Sequence, residues 1–186
     1  MPTYIALLRG INVSGQKKIK MADLRAHLAE LPIRHIQTYI QSGNIIFEHE
    51  NTDPGILERL IHDKIAEKYG YDVPVLVKTA EDLNRVLQNN PFQEESESGP
   101  KRVYFTFLAS EPDEARIAKL SEVDYQPEKY VLEGKDIYFF SPSGYGRARM
   151  SNNFFENKLK VRATTRNWKT TQVLYKMAMA ATKSDD

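Results

Sequence analysis

The order of hydrophobic patterns along this chain restricts its fold more than any other feature. Continuous apolar runs are typical of buried strands, and apolar residues spaced three and four apart are typical of helices. In the first part these patterns predict, in order, strand Thr3–Leu8, helix Met21–Leu31, strands Ile36–Ile40 and Asn44–Glu48, helix Pro54–Tyr69 and strand Val73–Lys78. This is the ferredoxin-like order, in which the fourth strand lies at a sheet edge. Pro74 suits an edge strand, because proline cannot donate a ladder hydrogen bond.

A similar order returns after residue 100. The patterns there predict strand Arg102–Leu108, helix Ser110–Leu120 capped by Ser110, strands Lys129–Leu132 and Ile137–Phe140, helix Asn152–Leu159, a short strand Val161–Ala163 and a terminal helix Asn167–Ala181. We therefore predict an α+β protein with two tandem ferredoxin-like (βαββαβ) halves packed together, plus connecting and C-terminal helices. The tail TKSDD is expected to fray.

The predicted boundaries follow from the weakest hydrophobic signal. They are a first half over residues 1–80, a connecting helix and acidic linker over residues 81–100, and a second half with the C-terminal helix over residues 101–186. Thr79 and Asp82 are expected to cap the connecting helix. The linker prediction rests on Gln93–Pro100, which is polar, acidic and ends in Gly-Pro.

Charge is segregated along the chain although the formal net charge is only +1. Residues 1–47 hold six bases and two acids, residues 48–140 hold 11 bases and 20 acids, and residues 141–186 hold nine bases and three acids. The near-neutral total argues against a protein that coats DNA. However, three basic segments contain no acid, namely RGINVSGQKKIK, GYGRARM and KLKVRATTRNWK. Two of them precede predicted helices, whose N-termini favour anions, so a local anion-binding site is expected.

Few groups for metal or covalent chemistry are present. The cysteine count is zero, which excludes disulfides, thiolate metal ligands and cysteine nucleophiles. The four histidines form neither HxH nor HExxH, so no metal site and no cofactor are predicted. The first apolar run is too short for a signal peptide or a membrane span, so a cytoplasmic location without a membrane partner is expected.

Three stretches carry a family resemblance: YIALLRGINVSGQKKIKMADL (4–24), TYIQSGNIIF (38–47) and ATTRNWKTTQVL (163–174). Together they resemble the DUF1697 family, bacterial proteins of unknown function. The resemblance implies an α+β fold and a signature that falls here on Arg9, Gly10, Asn12, Tyr39, Ser42, Gly43, Asn44, Thr164, Thr165, Arg166, Asn167 and Trp168. Ser14 and Ala148 depart from the residues expected of many members, which weakens any role for a hydroxyl at position 148.

The leading functional hypothesis is an anion-binding protein that acts on nucleic acid, with a slight preference for RNA, or on a nucleotide. The residues expected to bind the anion are Arg9, Asn12, Lys17, Lys18, Arg147, Arg149, Thr165, Arg166 and Asn167. The residues expected to line the site are Tyr39, Ser42, Asn44 and Trp168. The charge pattern and the hydrogen-bonding side chains of these segments carry this hypothesis.

Three alternatives stay open at this point. The first is an enzyme on a small phosphorylated or carboxylated substrate, with Arg9 and Arg166 holding the anion and Tyr39 or Ser42 reacting. The second is a protein-interaction module, in which the acidic middle meets the basic end of a partner or of a second copy. The third is that the signature arginines only stabilise the fold.

Overall fold

Two four-stranded antiparallel sheets organise the α+β fold of this protein. The computed structural model describes residues 1–183, so the fraying expected of the last three residues lies outside the described part. The chain divides into two compact units, the first comprising Met1–Asn84 and the chain from Val173 onward, the second Arg85–Gln172. The boundary after Asn84 falls inside a helix, and most of the terminal helix belongs to the first unit.

The first unit has the predicted ferredoxin-like order. Its elements are β1 Thr3–Leu8, α1 Met21–Leu28, β2 Arg34–Tyr39, β3 Asn44–Glu48, α2 Pro54–Tyr69 and β4 Val75–Thr79. The strand order is β2-β3-β1-β4, and all neighbours are antiparallel. Every residue of β1 is buried because β1 is central and paired on both sides. β4 lies at the edge as predicted, and Pro74 directly precedes it.

Local signals explain where the helix α2 begins and ends. The carboxylate of Asp53 accepts a hydrogen bond from the backbone N–H of Gly55 at 2.8 Å, and Pro54 occupies the first helical position. Gly70 ends the helix in the left-handed conformation with φ of 68°. Its buried residues Leu57, Ile61 and Ile65 join a mainly aliphatic core with α1 and the sheet.

The second unit repeats this topology with its own elements. They are β5 Val103–Leu108, α5 Glu114–Ser121, β6 Lys129–Glu133, β7 Asp136–Phe140, α6 Asn152–Leu159 and β8 Ala163–Asn167. The strand order is β6-β7-β5-β8, again antiparallel throughout. Its core is rich in aromatic rings, with Tyr104, Phe139 and Phe155 among the buried members. The two sheets together confirm the predicted fold class.

The start of α5 differs from the prediction. The helix begins at Glu114, with Asp113 as the extended residue before it, and Ser110 caps nothing there. Pro112 explains the shift, because the residue before a proline is pushed out of the helical conformation.

The sequence patterns are wrong for residues 164–167, since they leave residues 164–166 between the short strand and a terminal helix that begins at Asn167. These residues form most of β8, whereas the sequence patterns place only a short strand at Val161–Ala163. β8 pairs with the buried strand β5, with Ala163 opposite Leu108 and Asn167 opposite Tyr104. The threonines at positions 164 and 165 are β-branched and suit a strand, and this pairing outweighs the polar character that favours a loop.

The acidic linker predicted at Gln93–Pro100 contains a helix instead. Three further α-helices and one short 3-10 helix complete the described chain: α3 Ala80–Gln88, α4 Gln93–Ser98, α7 Trp168–Thr182 and the 3-10 helix Tyr145–Arg147. Within α4, the buried hydroxyl of Ser96 donates to the carbonyl of Phe92 at 2.8 Å and accepts from the amide of Asn90 at 2.8 Å. These buried hydrogen bonds anchor a segment that is otherwise polar enough to be read as a linker. The capping of α3 agrees with expectation, since the N–H of Asp82 donates to the Thr79 hydroxyl at 3.2 Å.

Candidate anion-binding site

The basic segment that follows β1, residues 9–20, folds into a small hairpin. The N–H of Gln16 donates to the carbonyl of Val13 at 2.9 Å, and these two residues pair as an antiparallel bridge. Ser14 and Gly15 between them have φ angles of 50° and 74°, which a tight hairpin turn requires. Of the four bases of this segment, Arg9 precedes the turn and the three lysines follow it.

Asn12 is the residue that holds this hairpin against the rest of the first unit. Its side-chain amide donates to the carbonyls of Ile19 at 2.9 Å and Gln41 at 2.8 Å. Its side-chain oxygen accepts from the N–H of Ile19 at 2.9 Å. Both amide hydrogens are used inside the protein, so Asn12 has a structural role in this arrangement and offers no free donor to a ligand.

The other predicted cations of this segment differ in their exposure. The ammonium of Lys17 donates to the backbone carbonyl of Asp72, which ties the hairpin to the segment before β4. Arg9 is half-buried, and its backbone N–H donates to the carbonyl of Pro74 at 3.0 Å. Lys18 is exposed to solvent, as is Lys20.

The turn between β2 and β3 supplies the first unit's other predicted site residues. The buried amide of Asn44 donates to the carbonyl of Tyr39 at 2.9 Å and to the hydroxyl of Ser42 at 3.0 Å. Because an amide N–H cannot accept the proton of Ser42, this contact does not activate that hydroxyl as a nucleophile. Tyr39 and Ser42 are both half-buried. Gly43 has φ of 86°, and a Cβ there would lie only 2.8 Å from the Cβ of Leu8.

These residues lie at the same end of the first sheet, where β1 ends. The strand register puts Leu7 opposite Asn44 and Leu8 opposite Val75, so the segments after β1, before β3 and before β4 adjoin. The segment 9–20 thus lies next to the 39–44 turn, which the side chain of Asn12 contacts directly at Gln41.

Arg166 lies in β8 of the second unit and is buried. Its guanidinium donates to the carbonyl of Thr165 at 2.9 Å. Burial lowers the pKa of Arg166 to about 10, and the nearby Tyr145 partly opposes that shift. Arg166 therefore remains charged at neutral pH, inside the unit rather than on an open loop.

Thr165 and Asn167 also have partners within the second unit. The Thr165 hydroxyl donates to the side-chain oxygen of Asn152 at 2.9 Å and lies 2.8 Å from the hydroxyl of Thr106. The side chain of Asn167 accepts from the N–H of Thr170 at 2.7 Å and caps α7. Trp168, which begins α7, is half-buried.

The segment between β7 and α6, residues 141–151, already holds an anion from the protein itself. The Glu128 carboxylate accepts from the backbone N–H of Arg149 at 2.6 Å and from that of Met150 at 2.9 Å. The Arg149 guanidinium lies 5.2 Å from the centre of the Tyr125 ring, whereas Arg147 is exposed. Glu128 lies 21 positions before Arg149 and no local motif joins them, so the sequence gives no sign of this contact.

Tyr145 is a second residue that the sequence patterns do not single out. Its hydroxyl accepts from the N–H of Asn152 at 2.8 Å, and its ring lies 5.0 Å from that of Tyr104. Ser151 caps α6 by accepting from the N–H of Phe154 at 3.3 Å. The N-terminus of α6, an expected anion site, is therefore satisfied by neighbouring side chains. Only the aromatic residue inside the Gly144-x-Gly146 motif could have signalled this role.

The second unit gathers its site residues at one edge of its own sheet. The register places Val103 opposite Phe140 and Tyr104 opposite Asn167, so the chain entering β5, leaving β7 and leaving β8 adjoin there. Exposed cations at this edge are Lys101, Arg102, Lys129 and Arg147. The partly exposed rings of Tyr145 and Trp168 belong to segments at the same edge. We call this set the basic edge.

Two other kinds of feature are absent from residues 1–183. No group of three or more His, Cys, Asp or Glu side chains is arranged to hold a metal ion in this range. Nor is any helix of the described chain long and apolar enough to cross a membrane.

The model of the family described as "Protein of unknown function (DUF1697)" matches residues 1–138. The chain belongs to the DUF1697 family. The match runs through the whole first sheet and into β7 of the second, and none of the curated proteins matches this DUF1697 chain.

Among solved structures, this DUF1697 chain is similar to the conserved bacterial protein SP0830 from Streptococcus pneumoniae. The two share 26% sequence identity with a TM-score of 0.73, and the alignment covers 95% of this chain and 98% of that one. The similarity therefore extends over both units and supports the two-sheet α+β architecture.

Proposed function

We propose that this protein binds a phosphate-bearing anionic ligand at the basic edge of the second unit, and that the ligand is single-stranded nucleic acid, with RNA slightly preferred. The observation that carries the proposal is the exposed Arg147 on a segment without acids, at the same end of the second sheet as the partly exposed rings of Tyr145 and Trp168. Cationic groups beside aromatic rings are the combination that single strands require, since phosphates meet the cations and bases stack on the rings.

The backbone of the basic edge favours such a ligand because it is held in place beforehand. Glu128 fixes the N–H groups of Arg149 and Met150, and Tyr145 fixes the start of α6. A side chain on a fixed backbone loses less conformational entropy on binding.

Asn12 and Asn167, which are expected to bind the anion, and Asn44, which is expected to line the site, have no part in this proposal, because their side chains already bond within the protein. The exposed Lys18 and Lys20 form a second basic surface, on the first unit. A nucleotide or another small phosphorylated molecule is an outcome that the experiment distinguishes, since it would bind without the length dependence of a strand.

The test titrates labelled single-stranded RNAs of about four and about ten nucleotides, within the site size of single-strand binders, with an unlabelled mononucleotide as competitor. Binding is followed by fluorescence anisotropy. Affinity is expected to fall steeply between about 50 mM and 200 mM salt, because phosphate contacts release counterions. Trp168, the one tryptophan of the chain, supplies an independent signal through quenching by stacked bases.

Arg147→Ala is the decisive variant for this test. It is expected to weaken binding about fivefold and to lower the salt slope by about 0.7, the contribution of one phosphate contact on a single strand. The matched control is Arg162→Ala, an exposed arginine of the same unit at the opposite end of the sheet, where its carbonyl accepts from the N–H of Ala109. Equal loss in both variants, or an affinity that does not change with salt, would contradict the proposal.

A further inference from the structure

The helical face of the second unit contains a cleft that is lined by both apolar and cationic side chains. It lies between α5 and α6, has a volume of about 290 Å³ and is lined by Arg116, Lys119, Leu120, Val123, Tyr125 and Lys158 together with Asp113 and Ala115. This volume is close to the lower end of the range for small-molecule sites.

The inner wall of the cleft is apolar and firmly packed. Leu120 and Tyr125 are buried, and the Tyr125 ring meets those of Phe154 at 5.4 Å and Tyr130 at 6.2 Å in edge-to-face contacts. Val123, by contrast, leaves 45% of its surface exposed at the mouth. A rigid aromatic wall beside an exposed aliphatic side chain offers a ready surface for an apolar body.

The rim of the cleft is cationic. Arg116, Lys119 and Lys158 are exposed and bring three positive charges against the single carboxylate of Asp113. Asp113 lies 4.0 Å from the Nε of Arg116 and so offsets that charge. Among the described residues, Lys119 and Lys158 form no ion pair. The Lys158 ammonium lies 5.9 Å from the centre of the Phe154 ring, which in turn contacts the Tyr125 ring of the cleft wall.

We propose that the α5–α6 cleft binds a small amphipathic organic anion, whose apolar body contacts Leu120, Val123 and Tyr125 and whose carboxylate, sulfonate or phosphate lies between Lys119 and Lys158. Burial of the apolar part supplies the main driving force, and the two ammonium groups select for the negative head. This site is separate from the basic edge and does not depend on the function proposed there.

The test compares two dyes that differ in one group. The anionic probe is 8-anilinonaphthalene-1-sulfonate, and the neutral probe is N-phenyl-1-naphthylamine, which has the same ring system without the sulfonate. The anionic dye is expected to bind the folded protein at one saturable site. Amide NMR shifts are expected to change at Leu120, Val123 and Tyr125.

The double variant Lys119→Ala/Lys158→Ala separates charge from apolar contact. It is expected to weaken the sulfonate about tenfold, as two partly exposed charge contacts together do, and to leave the neutral dye nearly unchanged. Lys135→Ala, an exposed lysine on the turn between β6 and β7, is the matched control and should affect neither dye. Thermal melting verifies that each variant stays folded.

Three outcomes would overturn this proposal. The first is equal affinity of the sulfonate for the double variant and the unchanged protein. The second is a tighter complex with the neutral dye than with the sulfonate. The third is a set of NMR shifts that lies away from the cleft, which would place the dye elsewhere on the surface.

Discussion

The two units share one strand order, but their long connecting segments lie at opposite ends of the strands. In the first unit the long connection follows β1, residues 9–20, while the connection from β3 to α2 is short. In the second unit the connection that follows β5 is short, and the long one follows β7, residues 141–151. The strand β5 of the second unit is equivalent to β1 of the first, and β7 is antiparallel to β5. The long segment therefore lies at the C-terminal end of β1 in the first unit and at the N-terminal end of β5 in the second. The topology alone therefore does not decide where a ferredoxin-like unit carries its basic residues.

The means of holding each long segment also differ. In the first unit a neutral amide, Asn12, fixes the hairpin through three hydrogen bonds. In the second unit a charged group, Glu128, fixes the segment through two backbone N–H groups. It follows that a segment rich in Gly and Arg can be an anion nest whose anion is supplied by the same chain.

The largest effect is expected at the turn that supports the first hairpin. Gly43→Ala should reduce the free energy of unfolding by about 3 kcal/mol or more, because its Cβ would overlap Leu8 and Ile11 while φ stays positive. Urea unfolding measures the change. Gly146→Ala in the second segment is the control, since nothing lies within 4 Å of a Cβ there, and it should change stability by less than about 1 kcal/mol. Similar losses at both glycines would contradict this difference between the segments.

The next effect concerns Asn12, the neutral side chain that clamps the first hairpin. Asn12→Ala should cost about 2–4 kcal/mol, since three hydrogen bonds are lost and alanine is disfavoured at φ of 55°. Asn12→Asp keeps the acceptor but loses both donors, so it should recover only part of the stability. If instead Asn12→Ala lowered RNA affinity and left stability unchanged, Asn12 would be a ligand contact and not a clamp.

Glu128, the charged side chain that clamps residues 141–151, should respond differently from Asn12. Glu128→Ala is expected to cost about 1.5–3 kcal/mol, because two charge-assisted hydrogen bonds are removed. The vacated N–H groups should then bind phosphate, so the melting temperature of this variant should rise with added phosphate at constant ionic strength. Asn12→Ala serves as the comparison and should show no such rise. If the melting temperature of Glu128→Ala does not change with phosphate, the N–H groups of Arg149 and Met150 do not keep their arrangement without the carboxylate.

The smallest effect is a pH dependence confined to the first unit, which contains all four histidines of the chain. Hydrogen bonds to Asp63 and then Asp72 raise the pKa of His62 above its ordinary value of 6.5. The protonated form is thus favoured in the folded state. Its stabilisation is fully present below pH 6.5 and is lost as the pH rises through the higher folded pKa.

Because His62 is partly exposed, this contribution should stay below about 1 kcal/mol. Hydrogen exchange measured between about pH 5.5 and 8, corrected for intrinsic rates, should show the loss in the first unit only. His62→Gln should abolish it. A loss of the same size in the second unit, which has no histidine, would assign the pH dependence to other groups.

Strand and helix order was the part of the fold most open to prediction from sequence. β1, β3 and α6 lie at their predicted positions, and Asp53, Pro54 and Gly70 bound α2 as expected. These signals are local, since each depends on residues within a few positions of one another. β8 was mispredicted because its stability depends on a strand distant in sequence, β5. α4 was mispredicted for another reason: its partners Asn90 and Phe92 are close in sequence, but the polar composition of the segment gives no sign that Ser96 is buried and bonded to them.

The candidate site divides in the same way. The basic segments could be located from the sequence, because charge and the absence of acids can be counted directly. Exposed Arg147 could not be distinguished from buried Arg166, since burial depends on which strand pairs with β5. The contacts of Glu128 and Tyr145 and the position of the α5–α6 cleft could not be predicted either, because they also depend on which elements the fold brings together.

The fold class, the family and the segregation of charge can all be read from the amino-acid sequence, because they follow from local pattern and composition. Which of the charged and polar groups face solvent, and which hold the backbone, was settled only in the folded chain. The cause is that a hydrogen-bonding side chain takes whichever partner the fold brings nearest. In this chain those partners include Gln41 for Asn12 and Arg149 for Glu128, which are too distant in sequence for any motif to join them.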